Sequence, residues 1–181
     1  MDHQIIYIFW VNAYAIGTWD FRYYQLIEKV ILRTTIFLII NFIALALGGL
    51  FTSKGVPSEW YIALFKAPWT PPGWVFGFAW SIIMVSYGFY MGFLYNTNTK
   101  KTTIIILYVL QLFLNISWNP IFFKFHYVLL GLIVISLLTL TVIFKLFFFY
   151  KAIRLKSFLV LPYIIWLIIA TSLNGYILIY N

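Results

Sequence analysis

Charged residues are scarce in this sequence, and cysteine is absent. Only 9% of the 181 residues are Asp, Glu, Lys or Arg, whereas 64% are hydrophobic. A soluble domain carries about 25% charged residues, so this chain has too little polar surface to coat a globule in water. The composition therefore predicts an all-α integral membrane protein.

The missing residue types also exclude several kinds of chemistry. Without cysteine the chain can have no disulfide, no thiolate metal site and no cysteine nucleophile. Only two imidazoles and four carboxylates exist, and none of them lies within a long apolar run. We therefore predict neither a metal site nor a carboxylate dyad. The six residues are His3, His126, Asp2, Asp20, Glu28 and Glu59.

Five long apolar runs predict a bundle of five transmembrane helices. Each run is close to the roughly 20 residues that cross a hydrocarbon core. Pro71 and Pro72 confine the second helix to Gly73–Tyr95, because proline is tolerated at a helix start but not in its middle. The predicted spans are 34–51, with Val30 extending the first by a turn, 73–95, 102–123, 127–150 and 157–180.

Short links between the spans predict antiparallel neighbours and one compact domain over residues 30–181. The exception is the longer 52–72 loop, which we interpret as an ordered lid. Residues 1–29 form a separate leader whose apolar stretch "IIYIFWVNAYAIG" is too short to span. Two interpretations of this leader stay open, an interfacial segment rich in Trp and Tyr or a disordered one.

Basic residues predict the orientation of the bundle. Nine lie on the side of the N-terminus and the even-numbered links, whereas only Lys54, Lys66 and Lys124 lie on the other. This places the N-terminus in the cytoplasm and the 52–72 loop outside, and it favours a bacterial cell membrane over a mitochondrial outer membrane. The basic residues that give the net charge of +8 flank apolar segments, so we expect a lipid bilayer as partner and no nucleic acid.

Ionisable residues are expected to be absent from the middle of every span. Lys145 belongs to the fourth span, and we place it near the end of that helix. Proton relays and ion pumps need ionisable groups within the membrane. The pattern therefore argues against an ion-coupled transporter.

Aromatic and amide side chains recur at helical spacing in spans two, three and five. If Trp80, Trp118 and Trp166 converge, they form a pocket for a flat apolar ligand. The alternative is a merely aromatic core, and the residues alone do not decide between them. The three faces contain Trp80, Met84, Tyr87 and Met91; Gln111, Asn115, Trp118 and Phe122; and Trp166, Ala170 and Asn174.

Some of these polar and small residues have a structural explanation. We expect the Gln111 side chain to form a hydrogen bond to a neighbouring helix. The Gly88-x-x-x-Gly92 and Ala44-x-x-x-Gly48 patterns are typical of close helix packing rather than of ligand contact.

Three segments resemble the translocator protein family (TspO/MBR, the peripheral-type benzodiazepine receptor and its bacterial relatives). They are "WYIALFKAPWTPPGWVFGFAW" in the first loop and second span, "QLFLNISWNPIFF" in the third span and "LPYIIWLIIATSLNGYILIYN" in the fifth. The resemblance extends from about residue 30 to the end. The leader lies outside it.

The resemblance implies a five-helix bundle, commonly a homodimer, that binds tetrapyrroles such as protoporphyrin IX and haem, and benzodiazepine-site ligands, without a required cofactor. It also implies light-dependent porphyrin degradation in some bacterial members, for which Trp80 and Trp166 would be the catalytic pair. The pocket residues carried over by motif are Tyr61, Trp80, Met84, Asn115, Trp118, Trp166, Ala170 and Asn174.

Two departures from the family pattern are visible. Lys66-Ala67-Pro68 replaces the usual Lys-Pro, and no basic residue follows Tyr176 to complete the sterol motif. The resemblance as a whole leads us to expect a membrane receptor that binds tetrapyrroles and benzodiazepine-site ligands in a pocket lined by Trp and Asn. A light-dependent porphyrin-degrading enzyme and a tetrapyrrole or sterol transporter are the alternatives.

Overall fold

The structure, a computed structural model, describes the backbone of residues 3–181 and the side chains of residues 23–181. These residues are almost entirely helical, and no strand occurs in that part of the chain. The interpretation of 1–29 as an interfacial or disordered leader falls mostly outside the described side chains. In chain order the helices are α1 His3–Gly55, α2 Glu59–Ala63, α3 Gly73–Tyr95, α4 Lys101–Asn119, α5 Val128–Ile153 and α6 Leu161–Tyr180.

Four candidate membrane spans lie within residues 23–181, and one of them contains two long helices, which confirms the predicted bundle of five. Candidate spans cover Tyr23–Gly55, Gly73–Tyr95 and Lys101–Lys124, and a fourth apolar stretch covers Val128–Tyr180. The 3₁₀ segment Arg154–Val160 divides this last stretch into α5 and α6, which pack against each other. The chain is therefore a multi-pass integral membrane protein.

Local sequence explains where the helices begin and end. Pro72 is the N-cap of α3, as the two prolines predicted. Helix α4 ends where Pro120, which has no N–H to donate, begins a π-helical turn that continues to Lys124. Helix α5 ends at Arg154, whose φ of 47° lies in the left-handed region that stops an α-helix.

Glycines bring α1 and α3 into close contact. A Cβ atom added to Gly92 would lie 1.9 Å from Thr34 Oγ1, and one added to Gly88 would lie 2.4 Å from Leu38 Cδ2. The Gly88-x-x-x-Gly92 pattern is therefore a packing face, as predicted. Asn41 of α1 strengthens the same contact, because its Nδ2 donates to the Met84 carbonyl at 3.2 Å.

Hydrogen bonds fix which segments share an end of the bundle. Asn181 at the end of α6 pairs with the Phe65 backbone, with its Oδ1 2.9 Å from Phe65 N. At the opposite end, Arg33 donates to the Tyr95 carbonyl at 3.3 Å. The long loop and the C-terminal end of α6 thus lie together, and the basic residues at the start of α4 lie with Arg33.

The expectation that Lys145 lies near the end of its span was wrong. Helix α5 continues to Ile153, so Lys145 is eight residues, or about 12 Å, before the helix end. The side chain of Lys145 is 0% exposed and donates a hydrogen bond to the Tyr87 hydroxyl. Lys145 therefore does not belong with the basic residues at the membrane surface, and the argument that these spans lack an ionisable group no longer holds.

Candidate functional site

A small cavity lies among α3, α4, α5 and α6. Its volume is about 40 Å³, and its lining combines three tryptophans, one amide and apolar side chains. None of the lining side chains ionises near neutral pH, so the cavity offers no general acid or base. The lining residues are Phe76, Trp80, Asn115, Trp118, Ile135, Leu138, Trp166, Leu167 and Ala170.

The three tryptophans come from three different helices and are held by other aromatic rings. Trp166 meets Phe76 edge to face, with ring centroids 5.1 Å apart. Trp80 meets Tyr163 in the same way at 5.9 Å, and Trp118 stacks on a phenylalanine of the π-helical turn. Such rings present flat apolar faces to the cavity at little cost in side-chain freedom.

Asn115 supplies the polar group of the cavity. It lies one helical turn after Gln111 on α4 and is 7% exposed. Its backbone carbonyl accepts from Asn119 Nδ2 at 3.2 Å, but no hydrogen bond joins its side chain to another described residue. An amide buried in an apolar cavity has donors and an acceptor to offer to a ligand.

Five of the eight predicted binding residues meet at this cavity. Helical spacing had placed each on an inward face, and the bundle brings those faces together. The five are Trp80, Asn115, Trp118, Trp166 and Ala170.

Asn174 and Met84 are buried but do not line the cavity. Asn174 Oδ1 accepts from Trp118 Nε1 at 3.1 Å, and its Nδ2 donates to the Val128 carbonyl at 3.1 Å. The amide of Asn174 therefore positions Trp118. Met84 is 2% exposed and packs within the hydrophobic core.

Tyr61 lies in the segment between α1 and α3 and is not among the residues that line the cavity. Its ring packs on Phe123 at 5.5 Å, and Lys66 Nζ lies 4.7 Å from the ring centroid. Partial burial raises the pKa of the Tyr61 hydroxyl above its ordinary value. Tyr61 thus stays neutral at physiological pH and belongs to the loop's aromatic contacts.

Sequence reasoning missed four apolar lining residues. Ile135 and Leu138 come from α5, whose uniformly apolar sequence gives no periodic signal. Phe76 lies one helical turn before Trp80 and Leu167 directly follows Trp166. Extending the predicted faces by one turn or one residue would have found these last two.

The long loop closes over one end of the bundle through several side-chain contacts. Trp60 stacks on His126 with ring centroids 4.0 Å apart. Trp69 Nε1 donates to Ser172 Oγ at 3.2 Å. Ala67, which interrupts the expected Lys-Pro pair, is 4% exposed. The loop is therefore packed against α6 and the π-helical turn.

The cavity is far smaller than a pocket for an organic cofactor or drug. A volume of about 40 Å³ is close to that of one water molecule, whereas ligand pockets measure about 300–1,000 Å³. A flat ligand can enter only if the lining side chains move apart.

One family model and several known proteins match this sequence. The model of the TspO/MBR family matches residues 36–180. The Tryptophan-rich protein TspO of Chlorobaculum tepidum is 33% identical over 138 residues, which cover 74% of this chain and 86% of the relative. Protein CrtK of Rhodobacter capsulatus is 32% identical, covering 75% of this chain and 86% of the relative.

An animal relative matches to the same extent. The Translocator protein of Homo sapiens is 32% identical over 139 residues, which cover 73% of this chain and 82% of the relative. The residues that the family model matches, 36–180, include the C-terminal part of α1, the other four long helices and every residue that lines the cavity. The chain therefore belongs to the TspO/MBR family of membrane proteins.

Proposed function

We propose that this protein is a membrane receptor for flat aromatic ligands of the tetrapyrrole class. One observation carries the proposal. Three indole rings from α3, α4 and α6 surround a single cavity that also contains the unpaired amide of Asn115. Aromatic faces suit a planar macrocycle, and the amide offers neutral hydrogen bonds to its polar atoms.

The energetics allow useful affinity even though the cavity must widen. A macrocycle buries several hundred Å² of apolar surface, and each Å² contributes about 25 cal/mol. After the costs of association and of separating the lining side chains, micromolar binding is the expected order of magnitude. The prolines of the long loop reduce one of these costs, because a stiff loop has little backbone freedom left to lose.

Protoporphyrin IX should quench tryptophan emission of the purified protein in a saturable way. Asn115→Ala should weaken the binding about tenfold, because it removes the hydrogen-bonding group of the cavity. The matched control is Ser117→Ala, two residues along α4, where an exposed hydroxyl only bonds the Phe113 carbonyl at 2.6 Å. Titrations in detergent, kept in the dark, measure both affinities.

Two results would contradict the proposal. One is quenching that rises linearly without saturation, which indicates partitioning into the detergent micelle. The other is an unchanged affinity of the Asn115→Ala protein, which would place the ligand somewhere else.

A second candidate function is light-dependent breakdown of the bound porphyrin. The observation that favours it is that Trp80 and Trp166 both line the cavity, so an excited ligand bound there would lie beside both indoles. The lining offers no acid-base pair, so the reactivity would be that of the ligand itself. Trp166→Phe should slow the light-dependent loss of porphyrin absorbance several-fold and leave the dark rate unchanged. Equal rates in light for both proteins would exclude this role.

A further inference from the structure

Lys145 is buried inside the bundle but does not line the tryptophan cavity. Lys145 of α5 is completely buried, and its Nζ atom lies beneath the rings of Tyr87 and Tyr108, 4.9 and 5.7 Å from their centroids. Its backbone carbonyl accepts from the Tyr90 hydroxyl at 3.2 Å. A cage of tyrosines thus encloses the amine.

The hydrogen-bonding capacity of Lys145 is only partly used. An ammonium group has three donors. Here it donates to the Tyr87 hydroxyl, and its other contact is the weak acceptor Met91 Sδ at 3.8 Å. No ion pair involves Lys145 among residues 23–181. One donor is therefore left without any acceptor, and the amine has no carboxylate partner in the described part of the chain.

Stability does not account for a lysine in this position. An amine without a carboxylate partner is costly to bury inside a membrane protein, and hydrophobic replacements of buried charges are often neutral or stabilising. Intramembrane ionisable residues are accordingly most often functional. An anionic or strongly accepting group would satisfy the remaining N–H of Lys145.

The lysine is connected to the tryptophan cavity along one face of α3. Trp80 at the cavity and Tyr87 at the lysine lie on this face, two turns apart. Tyr163 of α6 bridges them, because its ring centroid lies 5.9 Å from Trp80 and 5.4 Å from Tyr87. Displacement of Tyr163 would therefore open the cavity towards Tyr87, the residue to which Lys145 donates.

Tyr163 also contacts a second side chain whose hydrogen-bonding capacity is only partly used, that of Gln111. Gln111 Nε2 donates to the Tyr163 hydroxyl at 2.9 Å, but Gln111 Oε1 is buried and has no donor partner. Gln111 is 1% exposed. The path from the cavity to Lys145 therefore has a free acceptor at its side and a free donor at its end.

From this arrangement we propose that Lys145 binds an acidic arm of the ligand. This inference rests on the proposed function and specifies its ligand class: a planar apolar body that carries a carboxylate, rather than a neutral aromatic molecule. The body occupies the tryptophan cavity, and the carboxylate accepts the free N–H of Lys145 beside Tyr87. Gln111 Oε1 accepts from an N–H or O–H group of the ligand.

Comparing protoporphyrin IX, a diacid, with its dimethyl ester tests the inference. The wild-type protein should bind the diacid at least tenfold more tightly in dark quenching titrations. Lys145→Met should bind the two compounds within about twofold of each other. Methionine fills similar space without a charge, so the variant should fold, and its melting temperature checks this. Lys151→Met is the matched control, because Lys151 is exposed one and a half turns further along α5.

Each outcome has a separate meaning. A preference for the diacid that survives in Lys145→Met would overturn the inference, because it would reflect the size of the ester or the outer basic residues. Equal binding of the two compounds by the wild-type protein would also overturn it, while leaving the proposed receptor function intact. The absence of saturable binding of either compound to the wild type would instead reject the receptor function itself.

Discussion

Ala170→Leu should weaken protoporphyrin IX binding about a hundredfold without lowering the melting temperature of the ligand-free protein. Ala170 lines the cavity on α6, one turn after Trp166. A leucine there fills the space that the ligand must occupy first. An unfilled cavity costs about 24 cal/mol per Å³, so filling about 40 Å³ recovers about 1 kcal/mol.

Opposite changes in affinity and stability distinguish a binding cavity from a packing defect. A defect that binds nothing would give the gain in stability alone. The control is Ala152→Leu, because Ala152 is exposed near the end of α5 and the same substitution there should change neither quantity. If leucine overpacks the site and the melting temperature falls, Ala170→Val provides the smaller addition. Wild-type affinity in a folded Ala170→Leu protein would show that the ligand does not use this cavity.

The sequence alone could predict the bundle because proline and charge mark its helices clearly. Pro71 and Pro72 set the start of α3, and the structure places that helix at the predicted residues 73–95. The inward faces of α4 and α6 were equally readable, since amides and tryptophans interrupt otherwise aliphatic helices. Whether Trp80, Trp118 and Trp166 surround a cavity or fill an aromatic core depends on helix rotation, which the sequence alone leaves open.

Other features depend on helix rotation and on pairing, which spacing does not determine. Asn174 shares a face with Trp166, but its amide is used by Trp118 Nε1 and by the Val128 carbonyl. In the sequence, Lys145 lies close to the predicted end of its span near residue 150, which is typical of a residue at the membrane surface. It becomes an interior residue because α5 extends to Ile153 and turns that side chain towards Tyr87. The size of the cavity likewise depends on packing details that no motif encodes.

Helices α1 and α3 pack closely against each other, and Gly92 of α3 lies where they approach most tightly. A Cβ atom at Gly92 would lie 1.9 Å from Thr34 Oγ1, 2.9 Å from Thr34 Cβ and 3.0 Å from Thr34 Cα. Rotating the threonine side chain relieves only the first of these contacts. The close approach to the Cα atom means that the α1 backbone itself must move away.

Gly92→Ala should therefore destabilise the protein by about 1–3 kcal/mol, the usual cost of overpacking. For a chain of this length that corresponds to a fall in melting temperature of roughly 3–10 °C, measurable by thermal unfolding in detergent. Gly77→Ala is the matched control on the same helix, because a Cβ atom there meets nothing within 4 Å. Alanine is also the better helix former, so this control should be neutral or slightly stabilising.

Removing the opposing side chain should partly restore the stability of the Gly92→Ala protein. The Thr34 hydroxyl is buried without a hydrogen-bond partner, so Thr34→Ala alone should cost little. In the double variant the 1.9 Å contact disappears, while the contacts with Thr34 Cβ and Cα remain. The two substitutions should therefore couple by about 0.5–3 kcal/mol in a double-mutant cycle. Simple additivity, or a Gly92→Ala protein as stable as the Gly77→Ala control, would mean that α1 and α3 are not packed this closely in the membrane.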